Sequence, residues 1–279
     1  MKILEGIDLK PHTTVRIGGT AGLFIIPEST EELISAINEY APVCVIGGGS
    51  NLLINEREFD RVVDLGSFDT SITNLGNGRF RVGASVRLQH LINAINEEGY
   101  GGIEYLYSVP GLVGGAIVMN AGRGKQYHKC ISDYIVSVQV LQNGELSELA
   151  KEECEFTHRS SKFKNTSSIV VSAIFEFPAM SVEESSKAKK ERIALCREKQ
   201  DNSAPNFGSV FMECDRHIMA VAKKLKIGNK KAHFSGKTEN WIVKEKGGTF
   251  SDVESAIKKV EILHKLSGKK CQREVIVWK

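Results

Sequence analysis

Val45-Ile46-Gly47-Gly48-Gly49-Ser50-Asn51-Leu52-Leu53 is the stretch that decides the fold. A buried strand over residues 42–46 runs straight into three consecutive glycines. A second apolar stretch comes next, Asn51-Leu52-Leu53-Ile54, with no helical period. Glycine lacks a Cβ and tolerates unusual dihedrals, so the amides of such a loop can converge on a phosphate. A plain tight turn uses the same residues, and the short motif alone leaves both readings open. It is not the Rossmann fingerprint: Gly47 and Gly49 fit, but the third glycine would fall at Leu52 and no helix follows.

Downstream lies a second cluster, Ser108-Val109-Pro110-Gly111-Leu112-Val113-Gly114-Gly115-Ala116, then Met119-Asn120-Ala121-Gly122. Proline fixes a turn, the glycines permit close backbone approach, and Asn120 can hydrogen-bond a polar edge. Two such clusters separated by a whole element suggest one extended ligand gripped from two units, which fits a dinucleotide. Gly236-Lys237-Thr238 does not make a P-loop, because the glycine required five residues before the Gly-Lys pair is Lys231.

Around these motifs the signals for strand and helix alternate. Residues 22–26 read as a strand, and Ser29-Thr30-Glu31-Glu32 is a capping box opening a helix with Leu33, Ile34 and Ile37 inward. A helix from Ser85 carries Leu88, Leu91, Ile92 and Ile95 at helical spacing and stops at Gly99. Residues 134–141 with Asn143-Gly144 predict a hairpin arm and its turn, and residues 169–177 another strand. A charged helix over 181–200 opens with the capping box Ser181-Val182-Glu183-Glu184 and leads to a third region. That region has a Gly208-Ser209 loop, a helix over 218–225 and one from Ser251 with Val253, Ile257, Val260 and Leu263 on one face. A short strand over 274–278 follows. The expected domains are therefore 1–65, 66–200 and 201–279.

The composition excludes other classes. With 279 residues, 41% hydrophobic and 25% charged, the chain is neither mainly disordered nor fibrous. The net charge is +3, with Lys and Arg dispersed apart from Lys187 to Lys190 and Lys269-Lys270, so no nucleic-acid partner is expected. No signal peptide and no run of eighteen apolar residues is present, which predicts a cytoplasmic protein without a membrane partner. Cys44, Cys130, Cys154, Cys196, Cys214 and Cys271 form no CxxC pair, so reduced, mostly buried thiols and no metal are expected.

Taken in order, the motif His12-Thr13-Thr14-Val15-Arg16-Ile17-Gly18-Gly19, both glycine clusters, Phe156-Thr157-His158-Arg159-Ser160-Ser161 and Arg197-Glu198-Lys199-Gln200 resemble the UDP-N-acetylenolpyruvoylglucosamine reductase (MurB) family. The resemblance implies an α+β fold: an FAD-binding fold of the vanillyl-alcohol-oxidase (PCMH) type with a third α+β substrate domain. It implies FAD and NADPH as cofactors, and a UDP-sugar as the anionic small-molecule substrate. Cofactor contacts would come from Gly47, Gly48, Gly49, Ser50, Asn51 and Leu52, and from Pro110, Gly111, Gly114, Gly115, Ala116, Asn120 and Ala121.

Three residues match catalytic positions of the family. Arg159 would clamp the substrate carboxylate, Ser209 in Phe207-Gly208-Ser209-Val210-Phe211 would donate a proton, and Glu274 would assist Arg159. On the residues alone, a surface arginine is the better reading of Arg159 and a cap or turn serine that of Ser209, and Glu274 also reads as an exposed strand glutamate. The short interval from Arg159 to Ser209 resembles the family form that lacks an inserted substrate-covering loop. Departures gather in the third region: Met212, Glu213 and Cys214 replace Lys-Asn-Pro, Thr238 replaces a histidine, and Cys271-Gln272 replaces Leu-Glu. These leave open a divergent flavoenzyme acting on another small acid. A flavin-binding protein without turnover is a further alternative, against which stands the presence of all three catalytic candidates. A monomer or small homo-oligomer is expected.

Overall fold

The computed structural model describes residues 1–123 and 128–279. They form two compact units, each assembled from separate chain segments. The first comprises residues 1–5, 22–48 and 60–194; the second comprises residues 6–21, 49–59 and 195–279.

Strands β1 (Lys2–Asp8), β2 (Thr20–Ile26), β5 (Glu58–Asp64) and β3 (Cys44–Ile46) make a sheet in the order β1-β2-β5-β3, with β3 and β5 parallel. Helix α1 (Thr30–Tyr40) buries Leu33 and Ala36 in a core with Ile25, Val63 and Leu65. Its cap is half of the expected box. Ser29 Oγ accepts from Glu32 N at 3.2 Å, but the Glu32 carboxylate takes the Glu28 amide and the Met1 ammonium instead of closing on Ser29. The strand expected from residue 42 begins only at Cys44, after Pro42, whose nitrogen has no hydrogen to give to a ladder.

A second, antiparallel sheet has the order β11-β10-β12-β7-β6: β11 is Glu145–Ala150, β10 Ile135–Gln142, β12 Ile169–Glu176, β7 Arg79–Gly83 and β6 Ile72–Gly76. Short strands β8 (Gly122–Arg123) and β9 (Lys129–Cys130) pair antiparallel in the same unit. Gln142 pairs with Glu145 across Asn143-Gly144, and both turn residues have positive φ (53° and 80°), the conformation an Asn-Gly hairpin turn supplies cheaply. Helices α2 (Leu88–Glu97) and α3 (Val113–Val118) join the core of the five-stranded sheet, with Leu88, Leu91, Ile92 and Ile95 all buried. Helix α2 starts at Leu88, where its hydrophobic period begins, three residues after the expected start at Ser85, because the Ser85 side chain donates to the Leu65 carbonyl and Arg87 takes the cap position. The predicted box on α4 (Val182–Lys199) is reciprocal, Glu184 N to Ser181 Oγ at 3.2 Å and Ser181 N to Glu184 Oε2 at 3.0 Å.

The second unit is built on short pairings: β13 (Phe211–Glu213) with β16 (Gln272–Arg273), β14 (Ala232–Phe234) with β15 (Ile242–Lys244), and β17 (Ile276–Trp278) parallel to β4 (Leu52–Ile54). The single strand expected over 274–278 is interrupted, because the Glu274 and Val275 amides both turn to the Val210 carbonyl. Helices α5 (Arg216–Leu225) and α6 (Phe250–Leu266) cover the core of Val15, Ile17, Leu53, Phe211, Phe234 and Ile257. On α6 the face of Val253, Ile257 and Val260 is buried as expected, but His264 rather than Leu263 completes it. Its Nε2 accepts from the Asp215 amide at 3.0 Å while Nδ1 faces the Val260 carbonyl at 2.8 Å.

Candidate active site

Within the first unit the two glycine clusters meet. Gly47 and Gly48 follow β3 directly and are exposed; a Cβ on Gly48 would lie 3.2 Å from Leu112 Cγ, so the loop rests on the second cluster. The remaining glycines differ in purpose. Gly114 is buried, and a Cβ there would lie 2.9 Å from that of Ala84, so its glycine lets the start of α3 pack against the turn after β7. Gly115 is exposed, a Cβ on it would meet nothing within 4 Å, and no backbone acceptor among the described residues takes its amide. The neighbouring amides of Val113 and Gly114 are already given to the Val86 and Ala84 carbonyls at 2.9 and 2.8 Å, and the Gly111 carbonyl accepts from Leu88. Gly47, Gly48 and Gly115 are therefore exposed positions where no side chain covers the backbone.

Asn120 is buried and spends its amide inside the protein. Its Nδ2 donates to the Thr157 carbonyl at 2.9 Å and its Oδ1 accepts from Ser132 N at 3.3 Å. It thereby anchors the tight reversal in which Thr157 and Ser160 exchange backbone bonds and Arg159 stands at φ 57°. Half-buried Arg159 donates from Nη2 to the Gly122 carbonyl at 2.7 Å, and Lys164 Nζ donates to the Arg159 carbonyl at 3.2 Å. Nearby, burial pushes the Cys130 thiol up, Asp133 adding to the effect and Arg159 opposing it. Ala121 returns its amide to Ala116, and Pro110 is exposed beside Gly111.

In the second unit Gly49 is buried at φ 57°, and a Cβ there would overlap the His12 carbonyl oxygen; this glycine is demanded by the protein's own backbone. Ser50 and Leu52 are half-buried around Asn51, whose Nδ2 donates to the Glu274 carbonyl at 3.1 Å and whose own carbonyl accepts from Ile276 N at 3.0 Å. Glu274 N in turn donates to the Val210 carbonyl at 2.8 Å, next to Ser209. The structure thus brings Ser209, Glu274 and Asn51 together from three distant places in the sequence. Arg159 belongs to the first unit and is not part of that group.

One positioning residue escaped the sequence reading. Asn240, at φ 64°, accepts from Phe211 N at 3.0 Å and donates to Phe211 O at 2.7 Å, while its carbonyl takes Val210 N at 2.9 Å. It grips both residues after Ser209; its only sequence signal was that it ends the Ser235-Gly236-Lys237-Thr238-Glu239-Asn240 run. Thr238 also has internal work: its hydroxyl accepts from Asp201 N at 2.6 Å and donates to Lys199 O at 2.9 Å. Burial works against the charge on Asp201, but donors from Ser203 and Ser235 outweigh it and hold the carboxyl below its usual range. Met212 is half-buried and Glu213 exposed on β13.

Exposed glycines on two adjoining loops, and Glu274 bonded through its backbone to Val210 beside Ser209, accord with the class the comparisons give, an FAD-dependent oxidoreductase. A family model described as an FAD binding domain matches residues 21–150. The UDP-N-acetylenolpyruvoylglucosamine reductase of Pseudothermotoga lettingae is 31% identical over 281 residues, covering 97% of this chain and 95% of the relative. That of Carboxydothermus hydrogenoformans is 35% identical over 273 residues, covering 94% and 88%. The crystal structure of UDP-N-acetylenolpyruvylglucosamine reductase (MurB) from Thermus caldophilus superposes with a TM-score of 0.82 at 26% identity, covering the whole of both chains. The chain belongs to the UDP-N-acetylenolpyruvoylglucosamine reductase family.

Proposed function

We propose that the chain reduces the enolpyruvyl ether of UDP-N-acetylenolpyruvoylglucosamine to the lactyl ether of UDP-N-acetylmuramate, a step of peptidoglycan synthesis. FAD, when bound, supplies the relay of hydride from NADPH to the terminal carbon of the substrate double bond. Arg159 holds the substrate carboxylate, a task suited to a planar and permanently charged fork. Negative charge developing at the neighbouring carbon and across that carboxylate is stabilised by Arg159 with the assistance of Glu274. Ser209 gives its hydroxyl proton to that carbon; an alcohol is a weak acid, but the acceptor is a strong base. Gly47, Gly48 and Gly115 offer backbone amides to the cofactor, while Gly49, Gly114, Asn51 and Asn120 hold the surrounding backbone. Residues 1–65 and 66–200 serve the flavin and 201–279 the substrate, in a cytoplasmic monomer or small homo-oligomer.

The observation that supports this reading best is the chain of bonds from Asn51 through Glu274 to Val210, which sets a carboxylate residue beside a serine. Anaerobic reduction of the holoprotein with NADPH, then mixing with the UDP-sugar, tests it. Rapid reoxidation coupled to lactyl ether formation is expected, and a reduced enzyme indifferent to this acceptor refutes it. A second reading, a different small acid as acceptor, is favoured by Thr238, whose hydroxyl is committed to Lys199 and Asp201, and by exposed Glu213. Reoxidation by another enolpyruvyl or unsaturated acid in the same assay would select it.

A further inference from the structure

Between Arg216 and Thr238 the chain has seven Lys or Arg and no Asp or Glu, although the whole protein carries only +3. This segment contains α5, so the cations dispersed elsewhere are concentrated on one part of the second unit. Helix α6 runs antiparallel beside it: Asp215 N reaches His264 Nε2 at 3.0 Å at one end, and Lys259 Nζ reaches the Gly228 carbonyl at 3.0 Å at the other. The two helices also display large apolar side chains to solvent. Val221 and Leu225 on α5 are 46% and 67% exposed, and Ile262 and Leu266 on α6 are 54% and 79% exposed. Each pair is spaced by four, so its members stack on one face of their helix.

Exposed leucines set among lysines have a cost in water that burial in a lipid headgroup layer removes, while the lysines meet anionic lipid. Lys224, Lys230 and Lys265 are all exposed here. Nucleic-acid surfaces use cations too, but interleave them with stacking aromatics, and neither α5 nor the solvent-facing positions of α6 present a Phe, Tyr or Trp. We propose that α5 and α6 form a docking surface for an anionic bilayer, on which the protein lies without crossing it. No helix among the described residues is long and apolar enough to span a membrane, and surface binding needs none.

The test uses the full FAD-loaded chain with vesicles of phosphatidylcholine mixed with phosphatidylglycerol, and with vesicles of phosphatidylcholine alone. Flotation with the anionic vesicles, lost at high salt and absent with the neutral ones, is expected. Lys224→Gln/Lys230→Gln/Lys265→Gln should lower vesicle affinity on the order of a hundredfold. Leu225→Ser/Leu266→Ser, which changes no charge and touches only exposed positions, should lower it about tenfold. Equal binding to neutral vesicles, or a leucine variant that binds as the parent does, overturns the proposal. So does tighter binding of a short single-stranded oligonucleotide at the same salt, or self-association without lipid that the leucine substitutions abolish.

Discussion

Gly115→Ala separates what the glycines do for the fold from what they do for the cofactor. The added methyl meets nothing within 4 Å and enters the first turn of α3, so no packing is disturbed. Alanine is the better helix residue by about 0.8–1 kcal/mol, which in a chain of this size raises Tm by a few degrees. The same methyl stands beside an amide with no backbone acceptor among the described residues. If that amide meets the pyrophosphate, losing one charge-assisted hydrogen bond of about 1.5–3 kcal/mol weakens FAD binding roughly tenfold or more. The apo variant should thus melt higher while the holo variant sheds flavin. Gly49→Ala is the control: its methyl overlaps the His12 carbonyl at a positive φ, so it should lower Tm of apo and holo protein alike. Differential scanning calorimetry of apoprotein and a flavin-fluorescence titration decide the matter. Unchanged FAD affinity in Gly115→Ala would remove Gly115 from the cofactor site.

Ser209→Ala should leave flavin reduction by NADPH intact and slow reoxidation by the substrate about 10² to 10⁴-fold; equal slowing of both stopped-flow phases would make the serine structural. Asp215 caps α5 by accepting from Ile218 N and His217 N, which hold its carboxyl below the usual value of 3.8; its stabilisation is present above that pH and is lost as pH falls through the lowered folded value. Asp215→Asn keeps a cap acceptor that does not titrate, so Tm should be nearly unchanged at neutral pH and fall less steeply below about pH 4; parallel Tm–pH curves would refute the assignment. Met212→Lys with Glu213→Asn should tighten UDP-sugar binding roughly tenfold, with the larger gain at low salt; weakening in a flavin-absorbance titration would show that other residues carry the phosphates.

Local chemistry was legible where a few neighbouring residues decide the outcome. The Asn143-Gly144 turn, the Ser181–Glu184 box and the buried stripe of α2 all depend on residues within one or two turns. What the sequence could not display were contacts closed by distant chain. Gly49 and Gly115 look alike in a glycine run, and only the position of His12 distinguishes them. Nothing local announces that residues 6–21 and 49–59 join the C-terminal unit, because the causes are burial of Val15 and Ile17 in its core and pairing of Leu52–Ile54 with Ile276–Trp278. The solvent-facing cluster on α5 and α6 was hidden for a related reason: periodicity marks buried faces, while exposed leucines only stand out once accessibility is known.

The frame around Ser209 and Glu274 also bears on how activity should respond to pH. Val210, Asn240, Asn51 and Phe211 hold these two residues with backbone groups and carboxamides, none of which titrates. The ionic element in that frame is Arg273, which binds Glu261 through Nε at 2.5 Å and Glu254 through Nη1 at 2.7 Å; these hydrogen bonds outweigh burial and raise its pKa, keeping it charged at every physiological pH. The backbone frame that carries the serine and the glutamate is therefore expected to stay in place across the range in which a reductase is assayed. A titration seen in turnover must then belong to the reacting groups or to the substrate, rather than to a loosening of their support.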